Sequence, residues 1–187
     1  MLKSIVNSIS AEQEDANIWI GSKYEKINDL KNDYVGRTGE QFLDVFCDKH
    51  DIDHKYNKDK IEEDGTFDIM IMDKKIEVKT SRLGKTGTFQ HENLRLDEDC
   101  NYYIFLDISP NKFMISVIDK ENFPLDKRHP IFEVTPHRRR ETSNTYKFDL
   151  RESTSLKKGI EAGITFVVND EDEDDEELKN FLIKSIV

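Results

Sequence analysis

Residues 66–81 run Thr66-Phe67-Asp68-Ile69-Met70-Ile71-Met72-Asp73-Lys74-Lys75-Ile76-Glu77-Val78-Lys79-Thr80-Ser81, with a period of two. Phe67, Ile69 and Ile71 alternate with Asp68, Met70 and Met72. Beyond Asp73-Lys74, Ile76 and Val78 alternate with Glu77 and Lys79. Alternation on both sides of a polar pair marks two antiparallel strands sharing one buried face. A turn centred on Asp73-Lys74 sets Asp68 opposite Lys79 and Met70 opposite Glu77. Asp68, Glu77 and Lys79 then share the face turned away from Phe67, Ile69, Ile76 and Val78. Diagonal neighbours on such a face lie roughly 7–8 Å apart, within reach of long side chains.

On the N-terminal side, Phe42, Leu43 and Phe46 share a helical face with Val35, which predicts a helix over 35–50. Residues 10–30 also read as helical, with Ser10-Ala11-Glu12-Gln13 as a capping box. A short strand is expected at 54–57 and a polar loop at 58–65. On the C-terminal side, 83–88 is a loop bearing Gly and Lys. Strands are expected at 102–108 and 113–118 around the turn Ser109-Pro110-Asn111-Lys112, with weaker ones at 131–135, 145–148 and 164–168. Leu178, Phe181, Leu182 and Ile186 space a short amphipathic helix. Helix, then strands, then helix is the order of a mixed α/β or α+β domain.

Composition narrows the class of protein. The 187 residues are 36% apolar and 36% charged, yet eleven Phe and six Tyr supply a core, so the chain is not a disordered one. No run approaches the ~18 apolar residues of a membrane span, and the first ten residues lack a signal peptide's apolar stretch. Cys47 and Cys100 are too few for a disulfide framework or a four-cysteine zinc site, and Cys47 falls on the helix's apolar side. A cytoplasmic protein without a membrane partner is expected.

Net charge is −11, but residues 170–177 are eight consecutive acids, and without them the balance is −3. The remainder carries basic clusters at Lys127-Arg128-His129, His137-Arg138-Arg139-Arg140 and Lys157-Lys158. Local potential rather than global charge governs binding to a phosphate backbone, so a nucleic-acid partner stays open. The acidic run reads as a solvated linker before the terminal helix. The alternatives are an intramolecular competitor with DNA for Arg138–Arg140, or a docking element for a protein partner.

Two carboxylates and an ammonium on one sheet face are costly unless used. Hard oxygen ligands suit Mg²⁺, which Asp68 and Glu77 would hold, with Mn²⁺ as a substitute. Phosphodiester hydrolysis fits: the ion polarises the phosphate and acidifies water, while Lys79 positions the nucleophile or offsets developing charge. Glu40, beside Leu43 on the preceding helix, could reach the site as a third carboxylate, directly or through water. Acid-x-Lys triplets also occur at Asp29-Leu30-Lys31, Asp73-Lys74-Lys75 and Glu177-Leu178-Lys179. Glu77-Val78-Lys79 differs from these in lying within an apolar-flanked strand that follows a hairpin-related Asp. The alternative is a solvated sheet face with an incidental ion pair between Asp68 and Lys79.

Glu40, the segment Thr66-Phe67-Asp68-Ile69-Met70-Ile71 and the segment Lys75-Ile76-Glu77-Val78-Lys79-Thr80-Ser81 together resemble the motif of the PD-(D/E)xK nucleases. More narrowly, the chain resembles restriction-endonuclease-like proteins, in which an acid on the first helix precedes an Asp-bearing strand and a Glu-x-Lys strand. Phe89-Gln90-His91-Glu92-Asn93-Leu94-Arg95 and the strand pair at 102–118 also resemble parts of such enzymes. The likeness spans about 35–120, and Phe67 stands where the motif's name has Pro. It implies a central mixed sheet flanked by helices, Mg²⁺ dependence and cleavage of double-stranded DNA, as in a type II restriction endonuclease. Its alternatives are a structure-specific or repair nuclease and a non-catalytic module acting through its acidic tail.

On this basis 1–168 is one nuclease-like domain with a helical part at 1–34, a core at 35–120, and strands with a basic loop at 121–168. Residues 169–187 form the acidic linker and terminal helix. Asp68, Glu77, Lys79 and Glu40 are the expected catalytic set, with Asp68, Glu77 and Glu40 on the metal. Gln90, Arg82, Lys85, Arg138, Arg139 and Arg140 are expected DNA contacts. Cutting both strands of a palindrome implies a two-fold homodimer. His50 and His54 read as surface histidines, and His91 as a loop histidine making local hydrogen bonds.

Overall fold

A computed structural model describes Ile5 and residues 17–57, 67–95, 97–138 and 144–186. Helix α1 (Asn32–Lys49) forms where the apolar spacing requires it, burying Val35, Leu43, Phe46 and Cys47. Gly39 lies on the same stripe. A Cβ there would come within 2.0 Å of Thr80 Oγ1, so glycine lets the helix backbone press directly on the sheet.

That sheet has six strands. β1 (His54–Tyr56), β2 (Ile69–Ile71) and β3 (Lys74–Arg82) form an antiparallel meander. The chain then leaves through β4 (Phe89–Arg95) and returns as β5 (Tyr102–Ile108), parallel to β3. β6 (Phe113–Asp119) pairs antiparallel with β5. β7 (His137–Arg138) and β8 (Thr145–Leu150) join β4 in a second sheet of order β4-β8-β7. A π-helical turn leads into α2 (Lys157–Glu161), and β9 (Thr165–Val168) closes the main sheet, whose order is β1-β2-β3-β5-β6-β9. The last element is α3 (Asp175–Ser185). The fold is therefore mixed α+β, a central mixed sheet and a smaller one flanked by helices.

Period-two patterning assigns the faces. Ile69, Ile76, Val78, Ile104 and Leu106 face α1, with Leu178, Leu182 and Ile186 of the C-terminal helix in the same core. Tyr103, Phe105 and Met114 face the other way, against Phe89, Leu94, Tyr146 and Phe148 of the second sheet. Glu77 and Lys79 belong to this second face. No helix among the described residues is long and apolar enough to cross a membrane.

Six expectations are corrected. The helix expected over 10–30 is, within the described residues 17–30, a set of turns and a 3₁₀ helix (Glu25–Asp29), with Gly21 at φ 71°. Its capping box lies outside the described residues. The hairpin turns at Met72 and Asp73, both with positive φ, so Ile69 pairs with Ile76 and Met70 with Lys75. This two-residue shift leaves every side chain on its expected face. Residues 131–135 form no strand: 130–132 are a turn, because the His129 imidazole accepts from the N–H groups of Ile131 and Phe132, and Glu133 takes φ 55°. Residues 89–95 form a strand, and His91 within it is 1% exposed.

Finally, the acidic run is folded. Residues 170–174 are a turn held by Asp170 and Asp174, whose carboxylates accept backbone N–H bonds. Asp175, Glu176 and Glu177 form the first turn of α3, where negative charge offsets the helix dipole. Asp175 pairs with Lys49 at 2.9 Å and with His50 at 3.1 Å, and Glu171 accepts from the Tyr24 hydroxyl at 2.7 Å. The run thus packs at the C-terminal end of α1. The histidines there are enclosed as well, with side chains only 5% exposed at His50 and 12% at His54.

Candidate active site

β2 pairs with β3 only as far as Ile76, so from Glu77 onward that edge of β3 is open to other groups. At Val78 the place of a ladder carbonyl is taken by a side chain. The Val78 N–H donates to Asp68 Oδ2 at 2.8 Å, while the Asp68 N–H donates to the Ile76 carbonyl at 3.0 Å. Asp68 is held from the other side too, its carbonyl accepting from the Asn57 N–H at 2.9 Å. An aspartate bound through both backbone and side chain, 1% exposed, is fixed before any ligand arrives.

Glu77 is 3% exposed on the same face. Its Oε1 accepts from the Lys79 ammonium, while Oε2 is buried with no hydrogen-bond partner among the described residues. Burial pushes the Glu77 carboxyl up to about 7. Lys79 opposes the rise, and the neighbouring charges of Asp68 and Glu98 add to it. Buried carboxylates sharing a site in this way are relieved either by a proton or by a cation.

Glu40 reaches the site from α1, its carboxylate accepting from the Tyr56 hydroxyl at 3.0 Å. Burial, with Glu40 adding, pushes that hydroxyl up to about 12, so Tyr56 remains a donor. A cleft of about 980 Å³ is lined by Glu40, Asp68, Glu77 and Lys79, and further along by Arg82, Lys85 and Gln90. Residues spread over more than fifty positions thus meet in one concavity.

Other expected residues fare differently. The Arg82 guanidinium donates to the carbonyls of Ile27 at 2.6 Å and Leu30 at 2.7 Å, tying the 3₁₀ helix to β3. Both bonds run from Nη1, and Arg82 still lines the cleft. Arg138 is outside the cleft lining, its guanidinium over the Tyr146 ring at 5.5 Å and its Nε donating to the Tyr146 hydroxyl at 3.0 Å. Arg139 and Arg140 lie outside the described residues. Residues that sequence reasoning passed over also border the site: Glu98, felt electrostatically at Glu77, and Glu92 and Asn93 in the cleft wall. Phe89, His91 and Leu94 on one side of β4 were the available signal for that wall.

Among the described residues, no three His, Cys, Asp or Glu side chains converge as a ready-made metal cage. The donor set nonetheless suits a hard cation. Asp68 and Glu77 offer carboxylate oxygens, one of them the orphaned Oε2, and Mg²⁺ characteristically takes one or two carboxylates with water and substrate phosphate completing its shell. Compared with known protein families, curated proteins and solved structures, the chain matches none.

Proposed function

We propose that this cleft hydrolyses phosphodiester bonds with Mg²⁺ and that the chain is a DNA endonuclease of the PD-(D/E)xK kind. The observation that carries the proposal is the buried pair Asp68 and Glu77 beside Lys79, with Glu77 Oε2 lacking a hydrogen-bond partner among the described residues and both carboxylates lining the cleft. When bound, the metal supplies charge to the scissile phosphate and lowers the pKa of water.

The protein's part is positional and electrostatic. Asp68, locked by the Val78 N–H, would offer the ion a fixed oxygen, and Glu77 would offer the second. Glu77 would hold the ion through the carboxylate that Lys79 now pairs with, so the Lys79 ammonium would stand beside the bound phosphate and water. The ammonium then orients the attacking water and offsets charge on the phosphate oxygens. Glu40, held by Tyr56, acts through water. Lys85, exposed on the β3–β4 turn, and Gln90 line the approach for DNA. A type II restriction enzyme is the specific form proposed, with a two-fold homodimer giving one site per strand and the cytoplasm as its compartment. The folded acidic run, paired with Lys49, His50 and Tyr24, favours this over a module that works through a free tail.

The test is incubation of the full chain with plasmid and linear DNA and Mg²⁺, alongside Lys79→Ala and Glu77→Ala. Discrete fragments from the wild type, absent with both variants, are expected. No Mg²⁺-dependent cutting by the wild type, or equal cutting by the variants, contradicts the proposal.

A further inference from the structure

β4 is an edge strand of the smaller sheet and runs along the cleft. Its register with β8 shifts between His91 and Leu94, which pair with Phe148 and Tyr146, so Glu92 and Asn93 both lie opposite Lys147. Asn93 takes the left-handed conformation, φ 61°. A bulge of this kind re-aims side chains and recurs next to active sites. Here it leaves Gln90, Glu92 and Asn93 exposed, all bordering the cleft, with His91 buried between them.

The bulge is pinned from beneath. His91 Nε2 meets Asp107 Oδ1 at 2.8 Å with neither side chain exposed, and the His91 ring stands edge-on to Phe105 with centroids 4.6 Å apart. The Gln90 N–H donates to Ser81 Oγ at 2.9 Å, fastening β4 to β3 two residues beyond Lys79. That offset is ~7 Å along a strand, roughly two nucleotide steps at 3.4 Å each. His91 Nδ1 and Asp107 Oδ2 are buried without hydrogen-bond partners among the described residues, so the pair costs more than an apolar contact would. What it supplies in return is a fixed position for the residues on either side.

The chemistry of those residues selects their target. Glu92 repels phosphate, and Gln90 and Asn93 carry no charge, so none is suited to gripping a nucleic-acid backbone. A carboxylate accepts from the cytosine N4 amino group, and side-chain amides pair with adenine N6 and N7. We propose that the β4 bulge reads base edges of DNA beside the scissile phosphate, with Gln90, Glu92 and Asn93 setting sequence preference. This rests on the nuclease reading of the cleft.

The test uses the full chain, duplexes randomised over a short window, Mg²⁺, and sequencing of the cut ends. Gln90→Ala and Glu92→Gln alter exposed side chains, and an unchanged thermal shift with Mg²⁺ shows that each variant is folded with its carboxylate site intact. The wild type is expected to prefer particular bases near the cut. Each variant is expected to relax that preference at one position by about 10- to 100-fold. Unchanged preferences in both variants, or a wild type that cuts without preference, overturn the bulge as reader and leave the nuclease standing. A wild type with no Mg²⁺-dependent cutting overturns both.

Discussion

The C-terminal run places eight carboxylates in sequence, and the cleft places two in space, Asp68 and Glu77. In the run, charge is solvated or matched. The Glu171 side chain is 49% exposed and that of Glu176 73%, Asp170 is held below the ordinary range by the N–H groups of Asp172 and Glu173, and Asp175 meets Lys49 and His50. In the cleft, Asp68 is 1% and Glu77 3% exposed, and burial drives Glu77 toward protonation. Fewer charges thus carry more unrelieved free energy. Desolvation rather than charge density marks the site that a cation would complete.

The sharpest way to break this contrast is at Lys79. Lys79→Ala should lower Mg²⁺-dependent DNA cleavage by at least about 100-fold, the scale of losing one electrostatic stabiliser of a transition state. Circular dichroism should show an unchanged fold. Retained cleavage would place the chemistry elsewhere.

Next in size is the cost of Glu77 itself. Its folded pKa of about 7 lies above the ordinary 4.5, so the unfolded chain ionises first as pH rises. In the metal-free protein this group therefore erodes stability between pH 4.5 and about 7 and continues to cost its full amount above that. The shift corresponds to at most about 3 kcal/mol. Urea unfolding in a chelator should find Glu77→Gln more stable than the wild type at pH 8 and closely matched at pH 4. A variant that loses stability at pH 8 would show that Glu77 serves the fold and not a ligand.

A smaller effect is expected at Asp175. Burial opposes ionisation there, but the hydrogen bonds from Lys49 and His50 prevail and hold the carboxyl below its usual range. Asp175→Asn should lower Tm slightly, an effect that high salt masks. The smallest effect belongs to Asp172→Asn with Glu173→Gln, which should leave both Tm and DNA affinity at low salt unmoved. Tighter DNA binding by that double variant would restore the acidic run as a competitor for DNA.

How much was legible in the sequence depended on whether one residue type dominated each local decision. α1 and the 66–81 hairpin were legible because apolar residues recur there at helical and strand periods. The faces of Asp68, Glu77 and Lys79 survived a wrong turn position because a slip of two preserves the alternation. The turn was misplaced because Asp73-Lys74 is the polar pair, whereas the structure puts Met72 and Asp73 in the left-handed region. β4 was obscured because His91, its central inward residue, is polar and its Nε2 finds a partner only in Asp107, a residue sixteen positions away. Residues 131–135 misled in the opposite sense, since the His129 side chain decides that turn against the apolar spacing. Arg82 had a site-like position and charge, but its carbonyl partners are brought to it by a distant segment.

Asp68 and Glu77 are proposed to form a cation site. Calorimetric titration of Mg²⁺ into the metal-free chain at pH 8, with Asp68→Asn and Glu77→Gln in parallel, tests that site directly. Saturable binding by the wild type, raising its stability by about 2.7 kcal/mol at a hundredfold excess over Kd, with no binding by either variant, is the expected result. Equal binding by all three chains, or none by the wild type, would contradict it.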